Sequence, residues 1–291
     1  MGHIYWIASY PKSGNTWMRA FIAAVINGGE AVDLNRLEEV VSDDNVGSFY
    51  QSFLSGPIAK ATLRDLARVR PSAQRAMAAS ARGFLLLKTH NLLSMHQGTP
   101  TIATDVTAGA IYIVRNPLDV AVSYSAFRAR DYDETISSML ESGRVLPKPS
   151  NAAYHVAGSW AENVQTWTQR RHARLLVLRY EDMLANPVAC FTQAVRLLKM
   201  DVTGAVIEKA IAATRFDVLQ ATEARDGFVE QVPQSPAFFR SGKSDVWRDA
   251  LSDAQVARVL RGCEAQMRRF GYWEDGFDER VAHAQAVEFS R

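Results

Sequence analysis

Lysine, serine, glycine and threonine fall together in the run Tyr10-Pro11-Lys12-Ser13-Gly14-Asn15-Thr16-Trp17. That set suits an anion: Lys12 supplies charge, Ser13 and Thr16 can donate to oxygens, and Gly14 allows close backbone approach. The run follows the apolar residues 4–8 and leads into residues 18–26, apolar but for Arg19, which predicts a strand, a tight turn and a buried helix. Unpaired N–H groups and the helix dipole at such a helix start add to an anion cradle. A nucleoside-triphosphate loop places its lysine after the last glycine, with a hydroxyl next to it for magnesium. Here Lys12 precedes Gly14, and Pro11 stands where a glycine-rich run would be.

A second set of polar groups follows another apolar run. Residues 109–114 read as a fully buried strand ending in Arg115-Asn116-Pro117, a turn signal with proline at a first helical position and Asp119 in the first turn. Arg115 is thus expected at the carboxyl end of a strand, where open α/β sheets bind ligands, and its planar fork suits phosphate oxygens. Ser123, two turns into the helix, can look back toward that edge. A third buried strand, residues 84–88, ends in Lys88-Thr89-His90. Of six histidines, His90 alone falls at a predicted strand end beside a lysine; His3, His96, His155, His172 and His283 read as surface or packing residues. A fourth strand, residues 175–179, ends in Tyr180-Glu181-Asp182.

The first run resembles the 5′-phosphosulfate loop TYPKSGTTW of sulfotransferases that use 3′-phosphoadenosine 5′-phosphosulfate (PAPS), with Ser9 and Asn15 in place of threonines. The Arg115 segment resembles that family's YVxRNPKDVxVSYYxF, in which the arginine and the serine hold the 3′-phosphate; Leu118 replaces a frequent lysine. Lys88-Thr89-His90 resembles its KTH, whose histidine is the base. The resemblance implies in-line sulfuryl transfer, with His90 taking the acceptor's proton, Lys12 neutralising the leaving oxygen and Lys88 stabilising the sulfuryl oxygens. It implies no metal. Tyr180 matches the tyrosine by the adenine, opposite Trp17 as a stacking partner. Thr214 and Phe216 match the TSF segment, with Arg215 replacing its serine. Arg240, Gly242 and Trp247 match the loop RKGxxGDWKN. Ser241, Asp245 and Val246 depart from it, and Arg240 with the backbone of Ser241 and Gly242 is still expected to reach the 3′-phosphate. The resemblance implies that residues 12–17 (Lys12, Ser13, Gly14, Asn15, Thr16, Trp17) hold the donor together with these downstream groups.

The elements that must position these residues are those of a single α/β domain with a P-loop-like parallel sheet and helices on both faces. A chain of 291 residues with 47% hydrophobic and 22% charged residues has the composition of a soluble globular protein. The net charge of +2 argues against a polyanion-binding face, so no nucleic-acid partner is expected. Cys190 and Cys263 read as buried helix residues in a reducing compartment. No apolar run is long enough to span a membrane, and the first strand begins at Ile4, leaving no room for a signal peptide; a cytoplasmic protein without a membrane anchor is expected. Ser252-Asp253-Ala254-Gln255 has capping-box spacing and should open a last helix ended by Gly271. Ser252-Asp253 stand where the family's dimer motif has Thr-Val, so that dimer mode is not supported.

Three stretches, 28–57, 128–159 and 223–236, read as irregular and hold the aromatics Phe49, Tyr50, Phe53, Tyr132, Tyr154 and Phe228. Acceptor choice is expected to lie in these loops. The acceptor class favoured is a small molecule with a phenol, alcohol or sugar hydroxyl, or an amine; a carbohydrate or lipid-linked hydroxyl is the alternative. A P-loop kinase or nucleotidase shares the fold, and a non-catalytic sensor of 3′-phosphoadenosine nucleotides shares the pocket. The first is disfavoured by the lysine position, the second by the presence of Lys12, Lys88 and His90 together.

Overall fold

The computed structural model describes residues 2–169, 174–235 and 237–289; His172 lies outside the described residues. The amino-terminal part runs β1 (His3–Ser9), α1 (Asn15–Ile26), α2 (Leu37–Val40), β2 (Ser42–Asp43), α3 (Gly47–Gln51), α4 (Leu63–Ser80) and β3 (Phe84–Thr89). The short pair β4 (Met95–His96) and β5 (Thr99–Pro100) follows, then β6 (Thr107–Val114), α5 (Pro117–Arg128), α6 (Tyr132–Leu140) and α7 (Trp160–Thr168). The remainder is β7 (Leu175–Arg179), α8 (Tyr180–Ala185), α9 (Pro187–Leu197), α10 (Gly204–Ala213), α11 (Phe216–Asp226), α12 (Asp253–Arg269) and α13 (Phe277–Phe289).

The four expected strands pair in parallel in the order β3-β1-β6-β7, and β2 adds a fifth at the β3 edge. Strand side chains alternate between the two faces. Ile4, Trp6, Ala8, Tyr112 and Val114 join one apolar cluster with α4, α5, α7 and α12. Tyr5, Ile7, Ile111 and Ile113 join another with α1, α9 and α10. Both faces are therefore covered, as an all-parallel sheet requires.

Register sets the working edge. Ala8 pairs with Thr89, Ser9 with Ile113, and Val114 with Arg179, so β1, β3, β6 and β7 end level. The residues that leave them, Tyr10, His90, Arg115 and Tyr180, emerge along one edge. The caps follow the expected chemistry. Asn116 accepts from the Leu118 N–H ahead of Pro117, and Ser252 with Gln255 forms a capping box on α12. Val256, Val259, Leu260, Cys263 and Met267 are all buried along α12, and Gly271 follows its end at φ +68°. Cys190 and Cys263 are both buried and free.

Two stretches expected to be irregular carry short elements. Residues 28–57 contain α2, β2 and α3, and residues 128–159 contain α6, capped by Asp131. A two-residue strand is too short to leave a periodicity, and α6 begins among polar residues that mask its apolar face. No helix among the described residues is long and apolar enough to cross a membrane.

Candidate active site

The turn after β1 is built from backbone that few residues tolerate. Lys12 has φ +65° and Gly14 φ +105°. A Cβ on Gly14 would lie 2.8 Å from the Tyr180 ring, so the glycine answers both the dihedral and the packed aromatic. Asn15 secures the turn by donating from Nδ2 to the Ile7 carbonyl at 2.9 Å. As a residue Lys12 is only partly covered, but its ammonium lies 3.7 Å from the Phe238 ring centroid and 4.3 Å from that of Phe127. Burial there, followed by the repulsion of Arg115, pulls its pKa down to about 7. Ser13 is fully buried, and its hydroxyl has no partner.

On the neighbouring strand, His90 Nδ1 lies 2.8 Å from the Ser9 carbonyl oxygen. Lys88 Nζ is 3.2 Å from Asp43 Oδ2 and 3.3 Å from Glu230 Oε1. Burial opposes the lysine charge, yet the two carboxylates outweigh it and hold the pKa above the ordinary lysine value. Asp43 also meets His155 Nε2 at 3.0 Å, and Asp44 meets the same nitrogen at 2.7 Å. These carboxylates overcome burial and lift the His155 pKa to about 9. The His155 ring stands edge-on to that of His90, with centroids 5.7 Å apart. His155, expected as a surface or packing residue, is thus buried directly behind His90 as a cation. Asp43, Asp44 and His155 place three possible metal-ligand atoms within 4.8 Å of one another. Their contacts are already taken: Asp43 by Lys88 and His155, Asp44 by His155, Gln74 and Asn91.

Arg115 ties two loops together. One Nη donates to the Lys12 carbonyl at 3.1 Å, the other to the Lys243 carbonyl at 3.0 Å, and the guanidinium lies over the Tyr180 ring at 4.3 Å. Its buried Nε has no partner. Asp119, expected to serve the helix dipole, accepts from the N–H groups of Asp245 and Trp247 and so anchors the carboxyl-terminal loop on α5. Gly242, at φ +62°, packs where a Cβ would come within 2.2 Å of Phe216.

One cavity of about 880 Å³ gathers these groups. Lys12, Gly14, Asn15, Thr16, Trp17, Lys88, His90, Arg115, Ser123, Tyr180, Phe216, Arg240, Ser241 and Gly242 all line it. Ser13 and Thr214 do not: the Thr214 hydroxyl turns inward to the Ala210 carbonyl at 2.7 Å. Trp17 and Tyr180 both line the wall, but they touch edge to face, with centroids 5.9 Å apart at 72°, instead of flanking a slot as parallel plates.

Arg128, Leu146, Pro147 and Pro149 from the second irregular stretch and Glu230 from the third reach the cavity, and no residue of 28–57 does. Of the loop aromatics, Tyr50 and Tyr154 are fully buried, Phe49 and Tyr132 pack on the core, Phe228 joins a separate apolar cluster, and Phe53 is exposed. Glu230, Arg19, Asp43 and His155 are the site residues not foreseen. Only Arg19 carried a signal, as a lone charge in the apolar run of α1.

Comparison with known proteins bears on this arrangement. The model of the sulfotransferase domain matches residues 4–271. Sulfotransferase 1B1 of Canis lupus familiaris is 26% identical over 256 residues, covering 86% of this chain and 78% of its own. Sulfotransferase 1A1 of Rattus norvegicus is 26% identical over 285 residues, covering 90% and 86%. The fold is shared with mouse sulfotransferase SULT7A1 complexed with PAP (TM-score 0.58, 20% identity, 97% of this chain and 89% of that one). It is shared also with retinol dehydratase in complex with androsterone and the inactive cofactor PAP (TM-score 0.60, 18% identity, 91% and 80%).

Proposed function

The chain belongs to the sulfotransferase family as a PAPS-dependent enzyme, and we propose that it moves the sulfuryl group of PAPS to a hydroxyl or amine of a small-molecule acceptor through the His90 edge of the cavity. The donor brings an activated S–O bond and leaves as 3′,5′-ADP. In this reading the residues of the chain bind it, orient it and handle one proton.

The observation that carries the reading is the meeting of Lys12, Lys88, His90 and Arg115 on one cavity wall at the carboxyl edge of the sheet. His90 accepts the acceptor's proton at Nε2 as the new bond to sulfur forms. Lys12 stands at the turn for the leaving phosphate oxygen, and Lys88 for the sulfuryl oxygens. Arg115, with Ser123, Arg240 and the backbone of Ser241 and Gly242, takes the 3′-phosphate; the unpaired Arg115 Nε fits an anion there. Trp17, Tyr180 and Phe216 offer apolar wall to the adenine. Phe127, Leu146, Pro147, Pro149 and Phe238 give the cavity an apolar stretch that suits a phenol or hydrophobic alcohol. The complex of retinol dehydratase with androsterone and PAP is in keeping with that class.

The test is transfer from sulfur-labelled PAPS to a panel of phenols, alcohols and amines in EDTA, reading labelled product against 3′,5′-ADP release. The expected result is one 3′,5′-ADP per labelled product, formed only with an acceptor present. Transfer of the terminal phosphoryl of Mg-ATP to the same panel, with PAPS inert, would overturn the reading.

A further inference from the structure

Glu230 is gripped by groups that the proposed reaction needs for its donor. Its Oε1 accepts from Lys88 Nζ at 3.3 Å and from Arg19 Nη1, and its Oε2 accepts from Thr16 Oγ1 at 3.4 Å. Thr16 and Lys88 are two of the groups assigned above to the phosphosulfate. Arg19 lies one turn beyond Thr16 on α1, the spacing at which helical side chains are neighbours. It is 0% exposed, and its Nε and Nη2 have no partner. Removing a guanidinium from water with two nitrogens unpaired is unfavourable. One tethered carboxylate leaves that need unmet, whereas a sulfuryl group presents three acceptor oxygens.

We propose that Arg19 is a further ligand of the sulfuryl group, and that Glu230 is the chain's own anion, holding the sulfuryl site until the donor displaces it. The proposal rests on the reading that this cavity takes PAPS. Like-charge repulsion at Lys88 favours the exchange. Lys88 already lies between Asp43 and Glu230, and a sulfuryl anion added with Glu230 in place would put three negative groups around one ammonium. The neighbouring Val229 N–H donates to Asn35 Oδ1 at 2.8 Å, which anchors the main chain and assigns the exchange to the Glu230 side chain. PAPS and 3′,5′-ADP differ by the sulfuryl group alone, so Glu230 competes with the first and tolerates the second. The arrangement therefore weakens retention of unreacted donor relative to the product-state nucleotide.

Calorimetric Kd values for PAPS without acceptor, and for 3′,5′-ADP, test this on the wild type, Glu230→Gln, Arg19→Gln and Arg19→Lys. Glu230→Gln should tighten PAPS by about tenfold and leave 3′,5′-ADP within about twofold. Arg19→Gln should weaken PAPS selectively, and Arg19→Lys, which keeps the charge should the neutral variant not fold, should restore part of the loss. An unchanged ratio of the two Kd values in Glu230→Gln would overturn the proposal. Failure of the wild type to bind either nucleotide would instead remove the cofactor reading on which it stands.

Discussion

His90 donates its Nδ1 hydrogen to the main-chain carbonyl of Ser9 across 2.8 Å. A carbonyl can only accept, so the neutral ring carries its lone pair on Nε2. Ser9 is the last residue of β1, from which the anion loop departs. His90 and the loop after β1 are thereby fixed to one another by a single hydrogen bond. Burial, then the charges of His155 and Lys88, hold the His90 pKa down to about 3, which keeps the ring neutral across the physiological range.

His90→Ala is expected to lower kcat by about 10²–10⁴ while leaving the Kd for 3′,5′-ADP unchanged. Steady-state kinetics and calorimetry on the same preparation check both halves. Because the ring is already neutral, wild-type kcat should show no loss from His90 protonation between pH 5 and 8. A limb of the profile near pH 6.5 that disappears in His90→Asn would contradict this.

Lys12 gives the site a pH dependence of the opposite kind. With its pKa pulled to about 7 by burial and then by Arg115, much of the unliganded protein carries a neutral amine at pH 8. A bound phosphate raises that pKa, so binding takes up a proton, and affinity for 3′,5′-ADP should fall as pH rises from about 7 to 9. Calorimetry in two buffers of different ionisation enthalpy reads the uptake, which should vanish in Lys12→Met. Equal uptake in that variant would place the proton elsewhere.

Arg115→Ala should weaken 3′,5′-ADP by about ten- to a hundredfold, the range for a lost charged hydrogen bond. AMP, which lacks only the 3′-phosphate, should lose much less. Arg115 also holds the carbonyls of Lys12 and Lys243, so a general loosening of both loops would weaken the two ligands alike, and the ratio separates the cases.

Gly14 and Gly28 make an internal comparison. Both have positive φ, but a Cβ at Gly14 meets the Tyr180 ring at 2.8 Å, whereas at Gly28 nothing lies within 4 Å. Gly14→Ala should therefore cost more than the roughly 1–3 kcal/mol of a strained dihedral, and Gly28→Ala about that amount or less. Thermal melts of the two variants give the answer, and equal losses would mean that the ring yields freely.

The parts of this site that were legible in the sequence are those written contiguously. Lys12 through Trp17, Lys88 with His90, and Arg115 with Ser123 each follow a short apolar strand, and parallel register brings strand ends together whatever lies between. Glu230 and His155 reach the site from distant loops and Asp43 from the two-residue β2, where a single polar residue has no pattern to betray it. Thr214 was placed by its neighbours in sequence, but a threonine at the end of a helix can satisfy its hydroxyl on the preceding turn, and this one does. Trp17 and Tyr180, expected to stack from opposite sides of the adenine, meet edge to face instead, with Phe191 and Gly14 packed against the same rings.

Binding of a 3′-phosphorylated adenine nucleotide of the PAPS type in this cavity can be read in a single thermal-shift titration. At 100 times its Kd a ligand adds about 2.7 kcal/mol of apparent stability, a readable rise in Tm. That rise is expected with 3′,5′-ADP in metal-free buffer and none with Mg-ATP. Stabilisation by Mg-ATP with 3′,5′-ADP silent would contradict it.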